Sequence, residues 1–185
     1  KLILLFCLVS LAFSLTVSAN GINLIKQFEG CRLNAYKDSV GVVTIGYGTT
    51  NADKEITGTT ITMGMTISQS TADKWLKDSL NKKYAPKVNK YNSKYNWTQN
   101  EFDALISFAY NIGSIDQLTA NGTRSKSVIA DKMLEYKKAG GVVLEGLVRR
   151  RKAERAAGQA GAGRSFPRRT ESQRSQIRIP VPYEP

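Results

Sequence analysis

Hydrophobic residues recur at the spacing of an α-helix close to the start of the chain, between positions 22 and 30. Leu24, Ile25 and Phe28 fall on one face of this predicted helix. Gly30 follows directly, and glycine is a common stop signal at the end of a helix. The pattern therefore predicts a short amphipathic helix that ends at Glu29.

The hydrophobic pattern changes after this helix. Between positions 39 and 50 the chain reads SVGVVTIGYGTT, in which β-branched residues are separated by repeated glycines. Such a sequence is typical of a twisted β-hairpin in which backbones approach closely. Asp38 lies in the polar turn at its start, and the Thr-rich segment 52–65 predicts one further small strand or turn.

Helical signals dominate from position 66 onward. Thr66 with Gln69, and Thr98 with Glu101, have the spacing of a capping box at the start of a helix. The helix after Thr98 has the period of a buried face, formed by Phe102, Leu105, Ile106 and Ala109.

Two more helices are predicted in the remaining body of the chain, over 127–138 and 142–157. The pair Gly140–Gly141 separates them, and the second has a very basic face. A hairpin followed by several helices is the order expected of a mixed α+β fold.

The two ends of the chain have compositions of their own. Positions 1–19 contain one lysine, an apolar run and then small residues, which is the pattern of a secretory signal with cleavage after Ala19. A retained signal anchor is the alternative, although the run is shorter than the ~20 residues of a membrane-spanning helix. Positions 158–185 contain few apolar residues, and we expect a flexible basic tail there. The body of the protein is thus predicted to span 20–157.

Composition narrows the chemistry that the chain can perform. It has no histidine, which excludes Ser-His-Asp and Cys-His catalysis and a His-ligated zinc site. Its two cysteines are too few for a Cys-rich metal site, so we expect neither a metal nor a cofactor. Cys31 would be the only thiol left after signal cleavage, and we expect it to be a small residue buried in the core.

The net charge of +12 suits an anionic partner, such as nucleic acid, a membrane surface or a cell envelope.

Two acids near the start of the body are candidates for catalysis. The end of a helix carries partial negative charge, so Glu29 is expected to retain a proton there more readily than a solvated glutamate. Asp38 lies in a polar loop and is expected to stay ionised. A proton donor and an ionised carboxylate together suit glycoside hydrolysis. From the residues alone, the alternative is that both acids are solvated surface charges.

The segment 29–48, EGCRLNAYKDSVGVVTIGYG, resembles the catalytic signature of the phage-type lysozymes, glycoside hydrolase family 24. As in that family, Asp38 follows nine residues after Glu29, and Thr44 follows six residues after Asp38. The segment 100–113 resembles the family's central helix, and 139–155 resembles the entry to its C-terminal helix. The resemblance covers about residues 21–157.

This resemblance implies an α+β, lysozyme-like fold, with a small β-hairpin lobe, a mainly helical lobe and the active-site cleft between them. By the same resemblance, Glu29 would be the general acid that protonates the glycosidic oxygen. Asp38 would position or deprotonate the attacking water. Thr44 would help to hold that water or would lie beside the anomeric carbon. Without the motif, Thr44 would be an ordinary β-branched strand residue.

Two further residues are candidates for substrate binding through the resemblance. Asn111 lies at the end of the central helix and would reach the cleft, unless it is only a polar residue at a helix end. Arg149 is the first choice for the charge partner of Glu29. Arg150 and Arg151 are adjacent alternatives, and a basic face that merely meets an anionic envelope is the alternative for all three.

The resemblance also implies a substrate, bacterial peptidoglycan, cleaved at the β-1,4 bond between N-acetylmuramic acid and N-acetylglucosamine with inversion. We expect a secreted, bacteriolytic monomer with no nucleic-acid partner and no stable membrane association once the signal is cleaved. An anchored form that faces the periplasm is the alternative to secretion. The competing hypothesis is a non-catalytic cationic protein that binds cell walls or permeabilises membranes, suggested by the charge and the RRRKAER run.

Overall fold

A computed structural model describes residues 14–160 of the chain. Positions 1–13 of the predicted signal (1–19) and positions 161–185 of the predicted tail (158–185) lie outside the described residues. In chain order, the elements are α1 (Ala19–Glu29), β1 (Arg32–Lys37), β2 (Val43–Gly46), β3 (Thr49–Thr50), a 3₁₀ turn (Asn51–Asp53), α2 (Lys54–Thr57), α3 (Gln69–Ser79), a π turn (Leu80–Tyr84), α4 (Ala85–Asn89), α5 (Asn92–Tyr95), α6 (Gln99–Ile112), α7 (Asp116–Thr119), α8 (Lys126–Met133), β4 (Lys138–Ala139), β5 (Val142–Val143) and α9 (Glu145–Gln159). Within this part of the chain, no helix is both long and apolar enough to cross a membrane.

The small lobe is the three-stranded antiparallel sheet β1–β2–β3. β1 and β2 form a hairpin around the turn that contains Asp38, and Tyr36 pairs with Thr44. The hairpin therefore begins earlier than predicted, because residues 32–37 form its first strand. Leu33 and Ala35 are half-buried and alternate with the exposed Arg32 and Asn34, but the run is short and none of its residues is fully buried. The sheet and the helical lobe together confirm the predicted α+β fold.

Helix α3 begins two residues later than the capping-box pattern predicted. Ser68 is its N-cap, and the Ser68 hydroxyl accepts a hydrogen bond from the Thr71 amide over 3.1 Å. Thr66 instead bridges to Asn34 of β1, and its hydroxyl donates to the Asn34 side chain over 2.7 Å. The predicted cap residue is thus used to attach this segment to the sheet.

Helix α6 forms the centre of the helical lobe. Its N-terminus has the predicted capping box, in which the Glu101 amide donates to the Thr98 hydroxyl and the Thr98 amide donates to the Glu101 carboxylate. The helix packs against α1, α4 and α9. It is buried on more than one side, since its residues with at most 3% exposed surface include Phe102, Leu105, Ile106, Phe108 and Ala109.

The chain between α8 and α9 forms a second hairpin that the sequence pattern did not predict. α8 ends at Met133, well before position 138, and β4 pairs with β5. Gly140 and Gly141 form the turn with φ angles of 54° and 78°, a left-handed conformation that glycine adopts without steric cost. The glycine pair breaks the helical pattern, as predicted, by reversing the chain direction.

Cys31 is exposed, so the prediction of a buried core residue is wrong. It lies in the connection between α1 and β1, after the chain has left the buried face of the helix. Leu24, Ile25 and Phe28 do form that buried face, as predicted.

Replacing Thr98 by Ala should lower the free energy of unfolding by about 1 kcal/mol, because the Glu101 amide loses its acceptor at the start of α6. Urea denaturation followed by circular dichroism measures this change. Thr98→Ser keeps the hydroxyl and is the matched control, with a smaller expected loss. Equal losses in the two variants would contradict a capping role for the hydroxyl.

Candidate active site

Glu29 is the last residue of α1 and lines the space between the two lobes. Gly30, the next residue, has a φ of 65°, so the chain leaves the helix in a left-handed conformation and enters β1 almost directly. Apart from its two chain neighbours, no atom lies within 4 Å of the position that a Cβ on Gly30 would take. Backbone conformation, and not lack of space, therefore favours glycine here, and the turn leaves the Glu29 side chain 20% exposed.

An arginine of the last helix holds Glu29 in place. Nη1 of Arg150 on α9 donates to Oε1 of Glu29 over 2.5 Å, and Arg150 is only 4% exposed. Arg149, the first choice from the sequence, is exposed and lines neither part of the cleft. One step along a helix rotates the side chain by about 100°, so only one of the two can face Glu29. The charge partner is corrected to Arg150.

The ion pair belongs to a buried group of charges. Glu154 has no exposed surface, and its Oε1 accepts from Arg150 Nε over 3.0 Å and from the Ser107 hydroxyl on α6 over 2.7 Å. Arg151 lies 3.0 Å from the other oxygen of Glu154 and donates to Oδ1 of Asn111 over 2.7 Å. Two carboxylates and two guanidinium groups thus connect α1, α6 and α9. We call this set the charge cluster: Glu29, Arg150, Arg151 and Glu154.

Burial and charge pairing act in opposite directions on the two arginines. Burial alone would lower the pKa of Arg150, but the Glu29 and Glu154 carboxylates raise it above its ordinary value. Burial lowers the pKa of Arg151 to about 10. The Glu154 carboxylate offsets only part of this decrease, and the neighbouring Arg150 charge adds to it. Arg150 is therefore a permanent cation beside Glu29.

Asp38 is held by the turn that it begins. Its Oδ1 accepts hydrogen bonds from the amides of Val40 and Val42, over 3.0 and 2.8 Å. The Asp38 amide donates to the Val42 carbonyl over 2.9 Å and closes the turn. Thr44 is buried in β2, and its hydroxyl also donates to the Val42 carbonyl, over 3.1 Å. Local contacts within the hairpin therefore position both residues.

Two adjoining cavities of about 280 and 310 Å³ form a cleft between the lobes. Glu29 and Asp38 line both cavities, Thr44 lines the larger one and Asn111 lines the smaller one. The structure therefore brings together four of the residues selected from the sequence, and Arg149 is the one that it leaves outside.

The two carboxyl groups in the cleft are each held by one oxygen. Arg150 binds Oε1 of Glu29, and backbone amides bind Oδ1 of Asp38. Among the described residues, no group hydrogen-bonds to Oε2 of Glu29 or to Oδ2 of Asp38. A carboxyl that is fixed at one oxygen and free at the other can transfer a proton or bind water. The cleft thus presents two fixed carboxyls, one from each lobe.

A model of the family described as phage lysozyme matches residues 26–154. This range is more than half of the chain and includes the cleft carboxyls and the charge cluster. The chain belongs to the phage lysozyme family. The resemblance drawn from the motif at 29–48 is thereby confirmed.

Individual phage lysozyme relatives match most of this chain. The endolysin of Lactococcus phage c2 is 46% identical over 140 residues, which are 75% of this chain and 58% of that protein. The endolysin of Bacillus phage PZA is 36% identical over 163 residues, which are 84% of this chain and 60% of that protein. The solved endolysin from Escherichia coli O157:H7 phage FAHEc1 has a TM-score of 0.66 at 36% identity, over 80% of this chain and 95% of that one. This chain spans less than two thirds of the length of the two curated relatives.

Some residues of this phage lysozyme site were not selected from the sequence. Glu154 and Ser107 fix Arg150, and the available signal was the spacing of three and four residues between the arginines and Glu154 on one helix. Tyr110 on α6 donates to the Tyr47 carbonyl over 2.8 Å and so joins the two lobes at the cleft. Nothing in the sequence distinguishes Tyr110 from an ordinary core tyrosine.

Replacing Arg150 by Ala should lower the free energy of unfolding by about 3–5 kcal/mol, because the buried Glu154 and the partly buried Glu29 lose their shared cation. Arg149→Ala is the matched control, and its effect should stay within about 0.5 kcal/mol because the side chain is exposed. Denaturant unfolding of both variants measures the difference. A loss of similar size in Arg149→Ala would contradict the assignment of Arg150 as the charge partner of Glu29.

Tyr110 should make stability depend on pH in the alkaline range. Burial raises the pKa of Tyr110 well above its ordinary value, so its neutral form contributes stability that is complete below pH 10 and is lost at higher pH. Above pH 10 the free energy of unfolding should therefore fall less steeply with pH in Tyr110→Phe than in the parent protein. The two slopes should differ by up to about 1.4 kcal/mol per pH unit. Unfolding curves measured between pH 8 and 11, which spans the ordinary tyrosine pKa, test this. Parallel pH dependences in the two proteins would show that Tyr110 titrates normally.

Proposed function

We propose that this chain is an endo-acting lysozyme that hydrolyses the β-1,4 bond between N-acetylmuramic acid and N-acetylglucosamine in bacterial peptidoglycan. Membership of the phage lysozyme family supports this activity. The observation that carries it is the pair Glu29 and Asp38, held on opposite lobes of one cleft, each with one oxygen that no group in residues 14–160 binds. Glycoside hydrolysis requires two carboxyl groups that flank the bond to be broken.

Glu29 is the general acid in this mechanism. Its free oxygen delivers a proton to the glycosidic oxygen as the bond to the anomeric carbon breaks. Arg150 stabilises the carboxylate that remains, through a charge-assisted hydrogen bond. Glu154 and the Ser107 carbonyl hold Arg150 before the reaction begins, so the stabilising charge needs no reorganisation.

Asp38 is the base that positions or deprotonates the attacking water. The turn amides fix its orientation. Thr44 lines the same cavity, and its hydroxyl oxygen helps to hold the water as an acceptor, since its proton is donated to the Val42 carbonyl. Attack on the face opposite to the leaving group inverts the anomeric centre. A separation of ~6.5–9.5 Å between the carboxyls leaves room for that water.

The cleft walls offer groups that suit a charged polysaccharide. The Arg32 guanidinium lies 4.2 Å from the centre of the Tyr36 ring in the larger cavity. In the smaller cavity, Arg151 holds Oδ1 of Asn111, which leaves the Asn111 Nδ2 to donate to the substrate. N-acetyl and carboxyl groups along a glycan chain would be the acceptors for these donors.

We place this activity outside the cytoplasmic membrane, in a monomer that is secreted or held by an N-terminal anchor facing the periplasm. The apolar pattern of positions 1–19 supports export. The net charge of +12 would attract the chain to an anionic envelope. The proposed mechanism uses carboxyl groups and water only, and it requires no cofactor or metal.

Replacing Glu29 by Gln should lower kcat on purified cell walls by at least ~100-fold, because the amide cannot donate a proton to the leaving group. The decrease in turbidity of a cell-wall suspension measures the rate. Glu55→Gln removes an exposed carboxylate in α2 and is the matched control, with an unchanged rate. Equal clearing by Glu29→Gln and the parent protein would contradict the proposed function.

The same pair of proteins tests the competing hypothesis of a non-catalytic cationic protein. That hypothesis requires that killing of bacteria persists in Glu29→Gln and weakens steeply as salt is added. Release of new reducing ends by the parent protein alone supports hydrolysis, and the anomer first seen by NMR reports whether the centre is inverted.

A further inference from the structure

Residues 15–18 precede α1, and side chains from the helical lobe bind their backbone. We call residues 15–18 the N-terminal segment. Four polar side chains bind this segment, and we call them the side-chain clamp: Asn81, Asn89, Gln99 and Asp103. They come from three different elements, the π turn, α4 and α6. The clamp therefore depends on the assembled helical lobe.

Two asparagines bind the first part of the segment. Asn89 contacts Leu15 as a neighbouring β-strand would: its Oδ1 accepts from the Leu15 amide over 3.0 Å, and its Nδ2 donates to the Leu15 carbonyl over 2.8 Å. Asn81 accepts from the Val17 amide over 3.0 Å. The Val17 side chain is 6% exposed and belongs to the main hydrophobic core. The hydrogen bonds from Asn81 and Asn89 are made to the backbone of the segment, so they fix the path of the chain.

Two residues of α6 bind the second part of the segment. Gln99 donates to the Thr16 carbonyl over 3.0 Å. Asp103 is 2% exposed, and its carboxylate accepts from the Ser18 amide over 2.9 Å and also from the Ser18 hydroxyl. A Cβ on Gly21 would lie 2.7 Å from the Asp103 carboxyl carbon, so glycine allows the first turn of α1 to lie against Asp103.

Ser18 connects this clamp to α1. It is the N-cap of the helix, and its hydroxyl accepts from the amides of Asn20 and Gly21. The cap residue is thus itself fixed to α6 through Asp103. Helix α1 has 11 residues and is about 16 Å long, so a displacement of its first turn carries through to Glu29 at its other end.

We propose that the side-chain clamp makes the N-terminal segment a fixed part of the working enzyme, and that it positions Glu29 by fixing the first turn of α1. Arg150 fixes one end of this helix and the clamp fixes the other. The clamp residues are positioning residues, since none of them lines the catalytic cleft.

The proposal also limits where the chain can be processed. Cleavage after Ala19 would remove Val17 from the core and Ser18 from the helix cap. It would also remove both hydrogen bonds that Ser18 donates to the buried Asp103 carboxylate and leave that charge with the bond from Gln99. A buried charge that loses hydrogen bonds is unfavourable. Any cleavage that leaves a fully active enzyme therefore falls before Leu15.

The test compares Asn89→Ala with Asn100→Ala in the full chain. Both remove one asparagine that binds a backbone carbonyl, but Asn100 binds the Ala160 carbonyl after the end of α9 and not the N-terminal segment. In Asn89→Ala, hydrogen exchange of the Leu15 and Val17 amides should become about tenfold faster, because two hydrogen bonds to the segment are lost. Exchange that stays at the parent rate would overturn the clamp. Gln99→Ala is a second, independent variant should Asn89→Ala fail to fold.

Kinetics then test the positioning role, which rests on the proposed function. In the folded fraction of Asn89→Ala, kcat on cell walls should fall about tenfold while KM changes less than about twofold, since a misplaced acid affects the chemical step more than binding. Asn100→Ala should match the parent in both constants. An unchanged kcat with accelerated exchange would overturn the positioning role. If the parent protein itself fails to clear cell walls, the proposed function fails, and the exchange experiment still decides the clamp.

Sequencing the N-terminus of the active, processed protein tests the limit on cleavage. A start at or before Leu15 is expected. A fully active protein that starts at Asn20 would overturn the proposal.

Discussion

The ion pair between the buried Arg150 and the partly exposed Glu29 is the interaction on which the arrangement of the site depends. A guanidinium group with 4% exposure is tolerated only when its charge and its donors are matched. Arg150 meets that condition by binding Glu29 on α1, Glu154 on α9 and the Ser107 carbonyl on α6. The three helices must therefore reach one relative position before the charge is satisfied, and that position is the one that presents Glu29 to the cleft.

The two cleft carboxyls are fixed by different kinds of contact. Glu29 depends on residues far away in the chain, so changes on α6 or α9 reach it through Arg150. Asp38 depends on the amides of its own five-residue turn, 38–42, and these contacts form as soon as the hairpin forms. Damage to the helical lobe would therefore displace one carboxyl and leave the other in place. The Tyr110 hydroxyl, bound to the Tyr47 carbonyl, is one of the contacts that keep the two lobes together at the cleft.

Local sequence patterns predicted the features that depend on neighbours in the chain. These are the end of α1 at Glu29, the turn at Asp38 and the capping box at Thr98. Prediction from the residues failed for side chains whose partners are distant in the sequence, because tertiary packing selects those partners. Arg149 and Arg150 are equivalent in the sequence, and only the rotation of α9 against α1 separates them. The side-chain clamp was invisible for the same reason, since an amide side chain gives no sign of which distant backbone it binds.

The partners in the ion pair are 121 residues apart in the sequence, which has a consequence for the order of events during synthesis. At ~5–20 residues per second, roughly 6–24 s pass on the ribosome between the addition of Glu29 and the addition of Arg150. During that interval the first helix and the hairpin can form, but the nascent chain does not yet contain the cation that fixes the acid. A chain that stops before α9 would therefore carry both cleft carboxyls and still lack the assembled site.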